Sequence, residues 1–192
     1  MKTKIRIAII TILSGFSLQA QQAKGITGTS NWMNNWTTFK PASIEYNEAS
    51  NIIAGTIDKD TKLYKRNTYQ LVGVVYVTNN AVLTIEPGTV IRGDDKTCGT
   101  LVITNGAKIM AEGLETDPIV FTSDKGTTER KPGDWGGIII LGKAPINKLG
   151  GISTLPFDLD PTLNHYGGQD AEDNSGILKY VRIEYSGRKL SA

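Results

Sequence analysis

The chain has 192 residues, with 21 Lys and Arg against 19 Asp and Glu, a formal charge of +2, a sequence pI of about 8.6 and one cysteine. A lone Cys98 excludes an internal disulfide, so stability outside the cell has to come from packing and hydrogen bonding. The near balance of charge gives no support to an electrostatic nucleic-acid surface, and no nucleic-acid partner is expected.

The chain opens with Lys2, Lys4 and Arg6, then an apolar run from Ile7 to Leu18, then small or polar residues from Gln19 to Ala23. That order predicts a secretory signal peptide over residues 1–20. The run is shorter than the roughly 20 residues of a membrane span, and no later segment approaches that length, so export without a transmembrane segment is expected. Cleavage near Ala20 removes three basic residues and no acidic ones, taking the formal charge from +2 to −1.

Residues 21–51 carry Trp32, Trp36, Phe39 and Tyr46 among Ser, Thr and Asn, interrupted by Pro41, with no helical or strand period. They are expected to cap the first turn of whatever follows. The tryptophans offer a second reading, a platform on which sugar rings stack. From Ile52 the pattern turns to strands, first Ile52–Ile57 and then Tyr69–Val77, each bounded by Asn, Asp or Gly.

Next comes a repeat. Leu83, Ile85, Gly88 and Ile91 return as Leu101, Ile103, Gly106 and Ile109 at an offset of 18 residues, and Ile119 and Phe121 repeat the first pair. Repetition on this scale predicts a solenoid whose 83/85, 101/103 and 119/121 pairs stack on one another. Within the unit, Leu83 and Ile85 alternate with Thr84 and Glu86, and Pro87-Gly88 supplies a corner. Positions 85, 91, 103, 109 and 121 also obey six-residue steps, as a left-handed hexapeptide coil would. Thr97 and Glu115 break that series, and later strands lose the interval, so an irregular right-handed parallel β-helix is the expected architecture over residues 52–192.

Gly133–Gly142 encloses a continuous apolar run, Ile138-Ile139-Ile140-Leu141, as in a strand covered on both sides. Residues 143–175 form a long excursion rich in Gly, Pro, Asp and Asn, the kind of loop where binding residues sit. Alternation returns at Ile177–Tyr185, with Val181, Ile183 and Tyr185 on one face and Arg182 and Glu184 on the other. The chain stops at Ala192 with no visible capping segment, which predicts a coil incomplete at its C-terminal end or an end that associates with another chain.

Three stretches, Val82–Gly93, Gly133–Gly142 and Asp173–Gly187, resemble a family of exported Bacteroidetes proteins built as right-handed parallel β-helices of the pectate-lyase-like superfold. Members often carry a lipid anchor or a type IX secretion sorting domain. The resemblance spans residues 52–187 and implies the fold and export, but it carries over no catalytic residue. Two features depart from the family: no cysteine follows the expected cleavage point, and no sorting domain follows the coil.

The chemistry legible in the chain is sparse. Asp170, Glu172 and Asp173, with Asp158 and Asp160 earlier in the excursion, are oxygen ligands of the type a calcium ion takes, although acidic loops are more often simply solvated. Arg182 and Glu184 are alternate residues about 6.6 Å apart along one strand face, a ligand contact or a solvated charge pair. Cys98 and His165 are far apart in sequence and suggest no thiol catalysis. The functional expectation is therefore a secreted or cell-surface module that binds a polysaccharide or surface protein through Trp32, Trp36, Arg182 and Glu184, without a required cofactor. The alternatives are a polysaccharide lyase or glycoside hydrolase on the same superfold, and a fragment of a longer surface protein.

Overall fold

The computed structural model describes residues 36–38 and 40–190. The expected signal peptide, Trp32 and Phe39 lie outside the described residues. Among the described residues, thirteen strands and one 3-10 turn, Pro41–Ser43, make up the regular structure. They wind as a parallel β-helix with three faces, visited in a fixed order.

The first face holds the start of β1 (Asn51–Ile57), the start of β3 (Thr68–Val77), then β5 (Val90–Gly93), β8 (Ile119–Ser123) and β13 (Val181–Ile183). The second holds the ends of β1 and β3, then β6 (Thr100–Ile103) and β9 (Gly137–Ile140). The third holds β2 (Thr61–Leu63), β4 (Val82–Ile85), β7 (Lys108–Glu112) and β12 (Gly176–Lys179). Every pairing on these faces is parallel, as expected when each coil lies on the one before it.

Strands β1 and β3 each turn the corner between the first two faces without a break. They do so at Gly55 (φ +72) and Gly73 (φ +65), and the β1–β3 register slips between Ala54 and Thr56. A Cβ would meet nothing within 4 Å at either site, so the need for glycine is the left-handed backbone and not lack of room.

The 18-residue repeat does not stack as expected. Leu83 and Ile85 lie on the third face, Leu101 and Ile103 on the second, and Ile119 and Phe121 on the first. The stacked column on the first face is Tyr69, Ile91, Phe121 and Ile183, with offsets of 22, 30 and 62 residues. What recurs every 18 residues is a strand, a glycine corner and the next strand. Gly88 (φ +76) and Gly106 (φ +95) make the same bend at two different corners. Local corner geometry is alike wherever it occurs, whereas coil length varies with the loops.

The interior is filled by Leu71, Val75, Val77, Leu83, Ile91, Ile103, Ile109, Ile119 and Phe121, all essentially inaccessible. Each such side chain is worth about 1.5–3 kcal/mol of transfer free energy. Trp135 is fully buried, lies nearly parallel to Phe121 with ring centroids 6.3 Å apart, and donates its indole N–H to the Glu184 carbonyl at 2.7 Å. Its ring occupies the space a Cβ on Gly93 would need, 2.5 Å from Cγ. Burial fades toward the last coil: Ile183 is 47% exposed where Phe121, one rung earlier, is hidden.

Both outer surfaces of the first two faces are covered, by different means. The excursion between β9 and β12 folds an antiparallel hairpin, β10 (Ile152–Thr154) with β11 (His165–Gly167), and packs over the second face. Leu159, Leu155 and Tyr166 meet Val74, Tyr76, Val102, Ile139 and Leu141 in a second apolar cluster. Strand β9 is covered only in part: Ile138 packs against the interior and Ile139 under the excursion, whereas Ile140 is 41% exposed, so the uninterrupted apolar run is not buried throughout.

Candidate functional site

Residues 40–50 form a strap along the outside of the first face. It contains the 3-10 turn and no strand, and among the described residues its only backbone–backbone bond to the sheet is Ser50 N–H to the Thr68 carbonyl, 2.8 Å. Apart from the Ser50 hydroxyl, which bonds the Thr68 backbone, its other attachments come chiefly from side chains of successive coils. Strand alternation points Gln70, Arg92, Thr122 and Glu184 outward as one row and Val120 and Arg182 as the next.

Arg92 is the first anchor. Its side chain is only 4% exposed, yet Nη1 reaches the Asn47 carbonyl at 3.1 Å and the Glu48 carboxylate at 3.0 Å, while Nη2 donates to the Asp124 carbonyl. Arg130, from the β8–β9 connection, donates to the Ile44 carbonyl at 2.7 Å and lies 5.2 Å from the Tyr46 ring centroid. Arg182 forms the third anchor. It donates to the Tyr46 hydroxyl and pairs with Glu184 at 3.2 Å, and Glu184 also accepts from Tyr46 at 3.1 Å and Thr122 at 3.0 Å. Burial first, then the Glu184 charge, pushes the Tyr46 phenol up to about 12, against a smaller opposing pull from Arg182.

Arg182 and Glu184 are thus a nearly buried ion pair roofed by Tyr46, not a solvated surface pair. Beside them opens a cleft of about 450 Å³ lined by Trp36, Thr37, Thr38, Pro41, Pro132 and the strand from Arg182 to Tyr185. Trp36 meets Tyr180 edge-on, ring centroids 5.7 Å apart at 79°. Tyr180 joins β12 to β13, so Trp36 stands by the last coil, whereas the expected cap would place it over the first.

The acidic residues of the excursion are elsewhere. Asp173 accepts Lys143 N–H at 2.9 Å and so ties the two ends of the excursion together, while Asp170 accepts Glu172 N–H at 3.1 Å within a turn. Asp160 likewise caps Thr162. No group of three or more His, Cys, Asp or Glu able to hold a metal ion occurs among the described residues. Cys98 lines a separate cleft of about 290 Å³ with Lys96, Asp158, Arg188 and Lys189, while His165 sits in the hairpin opposite Thr154.

Sequence reasoning missed a polar network where the first face turns toward the second. Gln70 bridges Asp94 (3.0 Å) and Asp124 (3.3 Å), and Lys125 bridges Asp95 (2.9 Å) and Asp134 (3.0 Å). Burial and the neighbouring Asp94 and Asp95 charges raise the Asp124 carboxyl above the ordinary range, although the Asp95 amide opposes them. Burial also works against Asp94, but Thr97, donating from both its hydroxyl and its amide, outweighs it and holds that carboxyl low. It also missed Arg92, Arg130 and Thr122. A charged residue at an outward position of an apolar strand was the only signal, for Arg92 alone, and its meaning depends on a strap with no period of its own; Arg130 in a connection and Thr122 on β8 gave none.

Parallel strands on three faces, a hydrophobic interior and a decorated outer surface define the class as a β-helix domain. Residues 55–192 match the family model described as a pectate-lyase like beta helix domain, and the chain belongs to that family. Domains of this family are typically extracellular. Comparison with curated proteins and with solved structures found no match. No helix among the described residues is long and apolar enough to cross a membrane.

Proposed function

We propose that the protein is an exported β-helix module that binds saccharides in the cleft beside β13. The observation that carries this reading is the pairing, in one open cleft, of an aromatic platform with a fixed polar rim. Trp36 supplies the platform; Arg182, Glu184, Thr37 and Thr38 supply the rim. Sugar rings stack their C–H faces on aromatic rings while their hydroxyls both donate and accept, and pockets of this size hold small ligands of that kind. The excursion carboxylates stand on another part of the coil, and the Glu184 carboxylate is taken up by Tyr46, Thr122 and Arg182. A binding role therefore has more support than a lyase or glycosidase, which needs carboxylates converging on one bond.

The test is a glycan array on the mature chain, with cleavage of neutral and uronate polymers followed in parallel, with and without calcium. Selective binding that Trp36→Ala abolishes, without turnover, is expected. Turnover would replace the reading with the enzyme alternative, and binding untouched by Trp36→Ala would move the site away from this cleft.

A further inference from the structure

The strap is held unlike anything else in the molecule. Beyond Ser50 on the Thr68 backbone and Tyr46 on the Glu184 carboxylate, it is held by three arginines, one from each of three successive levels: Arg92 on β5, Arg130 after β8 and Arg182 on β13. What they hold is a run of oxygen acceptors on an extended peptide: the Ile44 carbonyl, the Tyr46 phenol, the Asn47 carbonyl and the Glu48 carboxylate. The chain leaves the 3-10 turn at Ile44 in extended geometry (φ −96, ψ 123). The strap connects one level of the coil to the next, so it crosses the strands and cannot extend the sheet.

The match is incomplete on the sheet side. The Nε atoms of Arg92 and Arg182 are buried and have no hydrogen-bond partner. A buried, unpaired cationic donor costs free energy that a better acceptor set recovers. On the strap side the hold is loose: the Glu48 side chain is 93% exposed even though it pairs with a buried arginine. The face is thus a groove in which three arginines outnumber one carboxylate, Glu184, with an occupant it holds incompletely.

We propose that this groove is a binding site for an extended acidic peptide of a partner protein, and that residues 44–48 (Ile-Glu-Tyr-Asn-Glu) occupy it as an internal ligand that the partner displaces. The recognition is side chain to backbone carbonyl, carboxylate and phenol, so a partner segment needs an acidic residue two positions after an aromatic hydroxyl, as Glu48 follows Tyr46. The saccharide cleft adjoins the groove and shares Arg182 and Glu184 with it, but its platform, Trp36, lies outside residues 44–48, and the groove goes beyond that reading.

The experiment uses the full chain and a fluorescent peptide spanning residues 40–50, with a scrambled peptide as control. Tyr46→Ala/Glu48→Ala in the chain loosens its own strap, which raises the fraction of open groove and should tighten peptide binding by about tenfold or more. Adding Arg92→Lys and Arg182→Lys should remove that gain, since lysine cannot reproduce a guanidinium's divided contacts. Hydrogen exchange read on β5 and β8 reports whether each variant is folded. Equal affinity of the peptide for loosened and unaltered chains, equal affinity for the scrambled peptide, or displacement by oligosaccharides in place of the peptide would each overturn the proposal. Trp36→Ala should leave peptide binding intact, which keeps failure of this proposal distinct from failure of the saccharide reading.

Discussion

The outer surfaces of the first and second faces are both covered by chain from outside the coil, yet the covers are chemically opposite. Over the second face the excursion buries Leu155, Leu159 and Tyr166 against Val102 and Leu141. Over the first, the strap's carbonyls, phenol and carboxylate meet three arginines and the Glu184 carboxylate. Apolar burial is not screened by salt, while an ion pair with one exposed member, as Arg92 has in Glu48, is screened and exchanges its partner more readily. One cover belongs to the fold; the other is attached to it.

The largest effect is expected beneath the strap. Glu184→Ala strips the partner from nearly buried Arg182 and should destabilise the chain by about 3–5 kcal/mol in chemical denaturation. Leu141→Ala, on the apolar side, should cost about 2–5 kcal/mol, with a loss that does not change between low and high salt. Gly93→Ala places a methyl group inside the Trp135 ring and should cost about 1–3 kcal/mol through overpacking, visible as a lowered Tm together with altered indole fluorescence. Glu48→Ala should cost about 1 kcal/mol or less, because its carboxylate is exposed, while strap amides exchange measurably faster. If Glu48→Ala were as costly as Leu141→Ala, the two covers would not differ in kind.

The smallest expected effect concerns pH. Tyr46 is raised from 10.0 to about 12, so the folded state favours the neutral phenol; this contribution is fully present below pH 10 and lost as pH rises through about 12. Spectrophotometric titration should resolve one late phenol, and Glu184→Gln should bring it earlier by removing a negative neighbour. Asp124, also raised, works in the same sense at acid pH: its contribution is present below the ordinary carboxylate pKa and lost as pH climbs through the raised value. Asp94, held low, contributes above the ordinary range and loses that contribution as pH falls.

The legible and illegible parts of the fold divide along the same line. Alternation in Leu83–Ile85 and Val181–Ile183, the corner at Gly88 and the apolar run at Ile138–Leu141 were readable because strand geometry imposes a period of two and glycine marks many corners; the expected single strand from Ile177 to Tyr185 instead turns a corner at Tyr180 (φ +49), which splits it into β12 and β13 on different faces. The stacking partner of each strand was not readable. An 18-residue spacing suggested that Leu83 meets Leu101, whereas Leu83 lies between Thr61 and Ile109. Arg182 and Glu184 were legible as an outward pair, but their roof was not, because Tyr46 lies 138 positions away from Glu184 in an aperiodic segment.

By itself the sequence determined that this chain is an all-β coil with an apolar interior, since side-chain alternation and turn residues act over a few neighbours. Only the tertiary structure decided how many residues make each coil, which cover lies on which face, and that three distant arginines converge on one strap. Those are questions of loop closure and long-range contact, and a local pattern carries no information about the partner that fills the space opposite.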